Sequence, residues 1–206
     1  AVPDPARCTP MAANVEVVSR LVRETGRRTA SFVVGPVTLA AHLMGPTALV
    51  KTALRDPEGF GRVLDHCSGL IRPYAEDLAE AGASHLVVLE PQLIFFSPAV
   101  YTRFARERIE GLCSGLPSPV LHVCGNTTRH LEEFGRTANV EALSLDAAVD
   151  LPAASGKIPW SQKTLMGNIG PVDVLQRGTP ELVRDSVKTL MESMGGRPFI
   201  LSSGCD

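Results

Sequence analysis

In Pro119-Val120-Leu121-His122-Val123-Cys124-Gly125-Asn126, residues 119–124 form a short run of aliphatic and β-branched residues with a histidine and a cysteine two apart near its carboxyl end. Its apolar side chains fall on both faces of an extended chain, the mark of a strand buried on both sides as in a parallel sheet. Five more runs of this kind recur, at residues 31–35, 84–90, 142–146, 164–168 and 198–203. Six strands are therefore expected.

Segments of helical period lie between them. Asp56-Pro57-Glu58 opens a helix over 59–81, and Thr179-Pro180-Glu181 opens one over 182–194 before Gly195-Gly196. A capping residue, a proline in the first turn and an acidic side chain next to it are the start signals of a helix. Residues 15–24 are amphipathic, with Asn14 as the expected cap. Strand and helix alternate throughout, which implies a parallel sheet covered by helices, either doubly wound or closed as a barrel. Periodicity leaves both open. No fixed-period repeat, low-complexity tract or linker divides the chain, so residues 1–206 are expected to form one domain.

Composition fits one body. At 206 residues and 44% hydrophobic, the chain can bury one substantial core but not two ordinary α/β domains. Its 20 Lys+Arg against 22 Asp+Glu give a net charge of -2, with no basic stripe for nucleic acid. No apolar run approaches the roughly 20 residues that cross a bilayer, and residues 1–10 lack a signal-peptide pattern, so a soluble, cytoplasmic protein is expected, with no membrane partner. Five cysteines are an odd number in a chain that needs no stapling, which leaves thiols for metal or redox chemistry. The chain opens on Ala1 and closes on Cys205-Asp206 directly after a strand-like run, as a piece of a longer protein would.

His122 and Cys124 leave the same face of their strand near its carboxyl end, so one ion can touch both. Cys205 ends the last run at the same kind of edge, where parallel α/β folds gather their ligands. One imidazole and two thiolates suit zinc, and three protein ligands leave a position open, as catalytic zinc requires. The plainer alternative is two buried cysteines and a packed histidine. Asp146, at the end of another strand, is a candidate fourth ligand, a partner for His122, or an ordinary cap. Glu90 is a candidate for orienting substrate or acting as a general acid, or else forms a structural ion pair. Asn126 and Asn168 carry amides suited to orienting a polar substrate, or to turn chemistry. Gly125 and Gly167 belong to no phosphate-binding fingerprint. His42, His66, His85, His130, Cys8, Cys67 and Cys113 lack partners at diagnostic spacing and are read as structural.

Several segments, taken in order, resemble the uroporphyrinogen decarboxylase superfamily from Phe32 onward. They are Val34-Gly-Pro-Val-Thr-Leu-Ala40, Leu121-His-Val-Cys-Gly-Asn126 with Thr127-Thr128, Leu143-Ser-Leu-Asp146, Leu165-Met-Gly-Asn-Ile-Gly-Pro171 and Leu201-Ser-Ser-Gly-Cys205. His-x-Cys and the terminal Gly204-Cys205 are similar to the branch of methylcobamide:coenzyme M methyltransferases and their relatives, not to the decarboxylases proper. The resemblance implies a (β/α)8 barrel whose third to eighth strands are the six runs, with the first two strands and the amino-terminal helices missing. It implies zinc on His122, Cys124 and Cys205, a methylated corrinoid delivered by a partner protein, and a small thiol such as coenzyme M as acceptor. Leu89-Glu-Pro-Gln-Leu93 departs from the aspartate-centred motif common at the fourth strand, and this bears on the substrate more than on zinc. Two rivals remain: a metal-free decarboxylase acting on a porphyrinogen, and a non-catalytic module that binds a corrinoid protein.

Overall fold

The computed structural model describes residues 9–158 and 163–205. Cys8 and Asp206 lie outside the described residues. Helix α1 (Thr9–Thr25) leads into β1 (Ala30–Val34), followed by α2 (Pro36–Met44), α3 (Pro46–Arg55) and the long α4 (Pro57–Glu80). Strand β2 (His85–Leu89) ends in a 3-10 turn. After it, α5 (Pro98–Val100) runs through a π turn into α6 (Arg106–Cys113). Then come β3 (Pro119–Val123), α7 (Leu131–Gly135), β4 (Ala142–Leu145), α8 (Leu151–Lys157), β5 (Thr164–Ile169), α9 (Pro180–Ser193) and β6 (Phe199–Ser203).

The expected start signals operate. Asp56 accepts a hydrogen bond from Gly59 N at 2.8 Å, and Thr179 accepts from Leu182 N at 3.3 Å. Asn14 does not cap. Helix α1 already runs from Thr9, because the apolar spacing Met11, Val15, Val18, Val22 extends the half-buried apolar stripe upstream, and the Asn14 amide donates to Tyr74 Oη on α4 at 3.1 Å. On α4, Phe60, Leu64, Cys67, Ile71, Ala75 and Leu78 form one buried stripe at helical spacing. Each large member stabilises the fold by about 1.5–3 kcal/mol through burial. Among the described residues no helix is long and apolar enough to cross a membrane.

All six strands are parallel, and their order in the sheet is their order in the chain, β1-β2-β3-β4-β5-β6. A doubly wound sheet reverses direction at a switch point, and this sheet has none. Crossovers of one hand that all step the same way put every helix on one face, as in a (β/α)8 barrel.

Burial agrees. Val33, Val88, Leu121, Leu143 and Leu165 are side by side on the helix-covered face and are at most 3% exposed. The opposite face carries the row Val34, Leu89, His122, Ser144, Met166, Ile200, which is more open toward both outer strands. That second face is the lumen side of a barrel, and the row places His122 at its middle.

Candidate metal centre

His122 lies on the lumen face of β3, and Cys124 follows one residue after the strand ends. Gly125 then takes φ 79, a left-handed conformation open to glycine at little cost, and turns the chain away so that the Cys124 thiol stays at the mouth. Asp146, just beyond β4, fixes that turn: its Oδ2 accepts from Gly125 N at 2.9 Å and its Oδ1 from Ala148 N at 2.8 Å.

Cys205 arrives from the end of β6. Three strand spacings separate β3 from β6, about 14 Å in a flat sheet at roughly 4.8 Å each. Yet Cys205 Sγ is 3.1 Å from Cys124 Sγ and 3.7 Å from His122 Nε2. The sheet therefore curls, and its carboxyl edge gathers residues remote in sequence. Gly204 makes this approach possible. Its N donates to Ile169 O at 2.8 Å, and a Cβ at this position would be 2.2 Å from Ala147 N.

The three donor atoms all lie within 4.8 Å of one another, with His122 Nε2 3.2 Å from Cys124 Sγ. Tetrahedral zinc with bonds of about 2.0–2.1 Å to nitrogen and 2.3 Å to sulfur spaces its donors by about 3.6–3.8 Å. The triangle fits after opening by about 0.4 Å on the His122–Cys124 edge and about 0.7 Å on the Cys124–Cys205 edge. Ser144 Oγ, on the neighbouring strand in direct register with His122, is 2.9 Å from His122 Nδ1. With the proton on Nδ1 and donated to Ser144, the Nε2 lone pair faces the two sulfurs.

The other residues singled out in the sequence occupy different places. Glu90 follows Leu89, which shares the face of His122, so Glu90 turns to the opposite, helix-covered side. It is 0% exposed. Its carboxyl accepts from Val37 N at 3.0 Å, from Thr38 N at 2.8 Å and from Thr38 Oγ1 at 2.8 Å, at the start of α2. Burial pushes its pKa up to about 7, against the lowering effect of those hydrogen bonds. Among the described residues neither an ion pair nor a place in the donor cluster is found for it; it caps α2 from a distance.

Asp146 is not in the cluster of three either, and both its oxygens serve backbone amides. Asn126 Oδ1 accepts from Thr128 N at 3.1 Å, a turn bond. The Asn168 amide donates to Asp146 O at 3.0 Å and Val149 O at 2.6 Å, bracing the loop after β4. Cys67 and Cys113 are buried. His130 is buried too, its Nε2 donating to Phe96 O at 2.9 Å, and burial lowers its pKa. Ser144 and Gly204 lie in segments that carry the family resemblance, but the sequence alone assigns neither a role at the site. Ser144 becomes visible only once β4 is placed beside β3 in register.

The family model for uroporphyrinogen decarboxylase (URO-D) matches residues 1–206. A methylcobamide:CoM methyltransferase, MtbA of Methanosarcina mazei, is 30% identical over 178 residues, covering 84% of this chain and 50% of that protein. A uroporphyrinogen decarboxylase of Prochlorococcus marinus is 30% identical over 202 residues, covering 92% of this chain and 56% of that protein. The chain thus spans about half the length of the curated relatives it matches. Among solved structures, a methyltransferase from Methanosarcina mazei superimposes with a TM-score of 0.85 at 23% identity, over 93% of this chain and 57% of that one. At that identity the likeness shows the fold.

Proposed function

The chain belongs to the uroporphyrinogen decarboxylase family, and within it we propose a zinc-dependent methyltransferase that moves a methyl group from a methylated corrinoid protein to a thiol such as coenzyme M. The supporting observation is the convergence of His122, Cys124 and Cys205 at the carboxyl edge of the sheet, with all donor atoms within 4.8 Å. Two thiolates and an imidazole are the donor chemistry of zinc, and three protein ligands leave one position for a substrate. Relatives named as methylcobamide:CoM methyltransferases support the direction of transfer. The decarboxylase alternative has no use for this donor set.

His122, Cys124 and Cys205 would hold the ion. Zinc in that position supplies Lewis acidity that makes a substrate thiol nucleophilic at neutral pH. Ser144 orients the His122 ring, and Asp146 holds the turn that presents Cys124. Leu89 and Met166 flank His122 and Ser144 on the lumen face, where apolar walls limit water around the donors. Relatives named as methylcobamide:CoM methyltransferases support a methylated corrinoid protein as the methyl donor.

Zinc-loaded protein mixed with methylcobalamin, as a free methyl donor, and coenzyme M should form the methyl thioether, with the matching loss of the methylcobalamin spectrum. Cys124→Ala should abolish both changes. Thioether formation that persists at the wild-type rate in Cys124→Ala would count against the reading.

A further inference from the structure

The described cysteines fall into two groups. Cys67 in α4 and Cys113 in α6 are buried, and burial pushes their thiols up to about 11 and about 12, so they remain protonated and shielded. Cys124 and Cys205 are half-exposed at the mouth, with their sulfurs 3.1 Å apart.

We propose that Cys124 and Cys205 form a redox modification site, in which a hydroperoxide converts the metal-free pair into an intramolecular disulfide that closes the metal centre. The sulfurs need to approach from 3.1 Å to about 2.05 Å, a movement within reach of side-chain rotation. Backbone contacts position both cysteines. Cys124 is fixed by the Gly125 turn pinned to Asp146, and Cys205 by Gly204 N on Ile169 O.

The chemistry balances with the hydroperoxide as the only oxidant. One thiol attacks the peroxide oxygen, breaking the O–O bond, to give a sulfenic acid and water (or an alcohol). The second thiol then attacks that sulfur and expels a second water as the S–S bond forms. The two electrons lost by the sulfur pair end on the peroxide oxygens. Zinc engages the same sulfur lone pairs, so the loaded site resists the first attack. That protective effect rests on the zinc reading; the disulfide itself does not.

The test uses the whole chain, stripped with a chelator and exposed to hydrogen peroxide under non-reducing conditions. Free thiols should fall from five to three, the intact mass should drop by two hydrogens, and peptide mapping should join the Cys124 peptide to the Cys205 peptide. A dithiol reductant should restore all five thiols. A Cys8→Ser variant should behave alike, apart from one thiol fewer throughout. Oxygen added to either cysteine without a link overturns the proposal, as does a link through Cys8, Cys67 or Cys113, or one between chains. Zinc-replete protein oxidised as fast as stripped protein overturns the protective role. Should the chain bind no zinc, the disulfide is still expected; should it bind zinc and form no link, the disulfide proposal fails and the zinc reading stands.

Discussion

Gly204→Ala should disable the proposed metal centre without unfolding the protein. The added Cβ would be 2.2 Å from Ala147 N and 2.9 Å from Ala147 Cα, whereas ordinary contact begins near 3.4 Å. The obstacle is backbone, so no side-chain rotation relieves it, and the end of β6 must withdraw by about 1 Å. Cys205 is the next residue and moves with it. Zinc sites tolerate departures of roughly 0.2 Å in ligand distance. A sulfur displaced several times that far is a weakened or lost ligand, and we expect zinc affinity to fall by at least about 10–100-fold, the range seen when even outer-shell partners of a metal site are removed. Competition with a chromophoric chelator measures this directly, with far-UV circular dichroism as the control for folding. Ala147→Gly in the same chain should not rescue binding, because the nearest atom is the amide nitrogen. A folded Gly204→Ala protein that holds zinc as tightly as wild type would refute the reasoning.

Three further outcomes follow from the geometry. Ser144→Ala removes the partner of His122 Nδ1 and should weaken zinc about tenfold, with Ser144→Thr retaining most of the affinity; equal affinities in all three proteins would show that the contact is incidental. Glu90→Ala strips the acceptors from Val37 N and Thr38 N, which are buried at the start of α2. It should cost about 2–6 kcal/mol, since each of the two orphaned buried donors costs about 1–3 kcal/mol, and the urea midpoint would fall accordingly; an unchanged midpoint would contradict the capping role. His130 is held neutral by burial, so below its ordinary pKa of about 6.5 the unfolded chain takes up a proton before the folded one, and stability is lost as pH falls. His130→Gln should lose less stability than wild type between about pH 7 and pH 5, and parallel losses would remove His130 as the cause.

The sheet was legible because each strand is a short apolar run between punctuated helices, and no observed strand end differs from the expected one by more than one residue. What periodicity could not decide, doubly wound sheet or barrel, depends on strand order, a non-local property. The resemblance pointed to the barrel, and the strand order agrees with it. His122 and Cys124 were readable as a pair from their spacing. Cys205 was readable as their partner only if the sheet curls, and the 3.1 Å contact across three strand spacings shows that it does. Glu90 shows where reading by strand end goes astray: lying at the carboxyl edge does not put a side chain in the mouth, since alternation sends it to the opposite face from Leu89. Asn14 shows a second limit. A residue with good capping chemistry inside a continuing apolar stripe becomes a helix side chain, because tertiary packing against α4 outweighs the local signal.

The most direct test of the central claim is the metal content of the purified, zinc-replete chain, measured by elemental analysis beside His122→Ala, Cys124→Ala and Cys205→Ala. The account predicts one zinc per wild-type chain and its loss in each variant, with folding retained. A wild-type chain that takes up no zinc, or variants that keep it in full, would contradict the account and leave the three side chains as ordinary occupants of the barrel mouth.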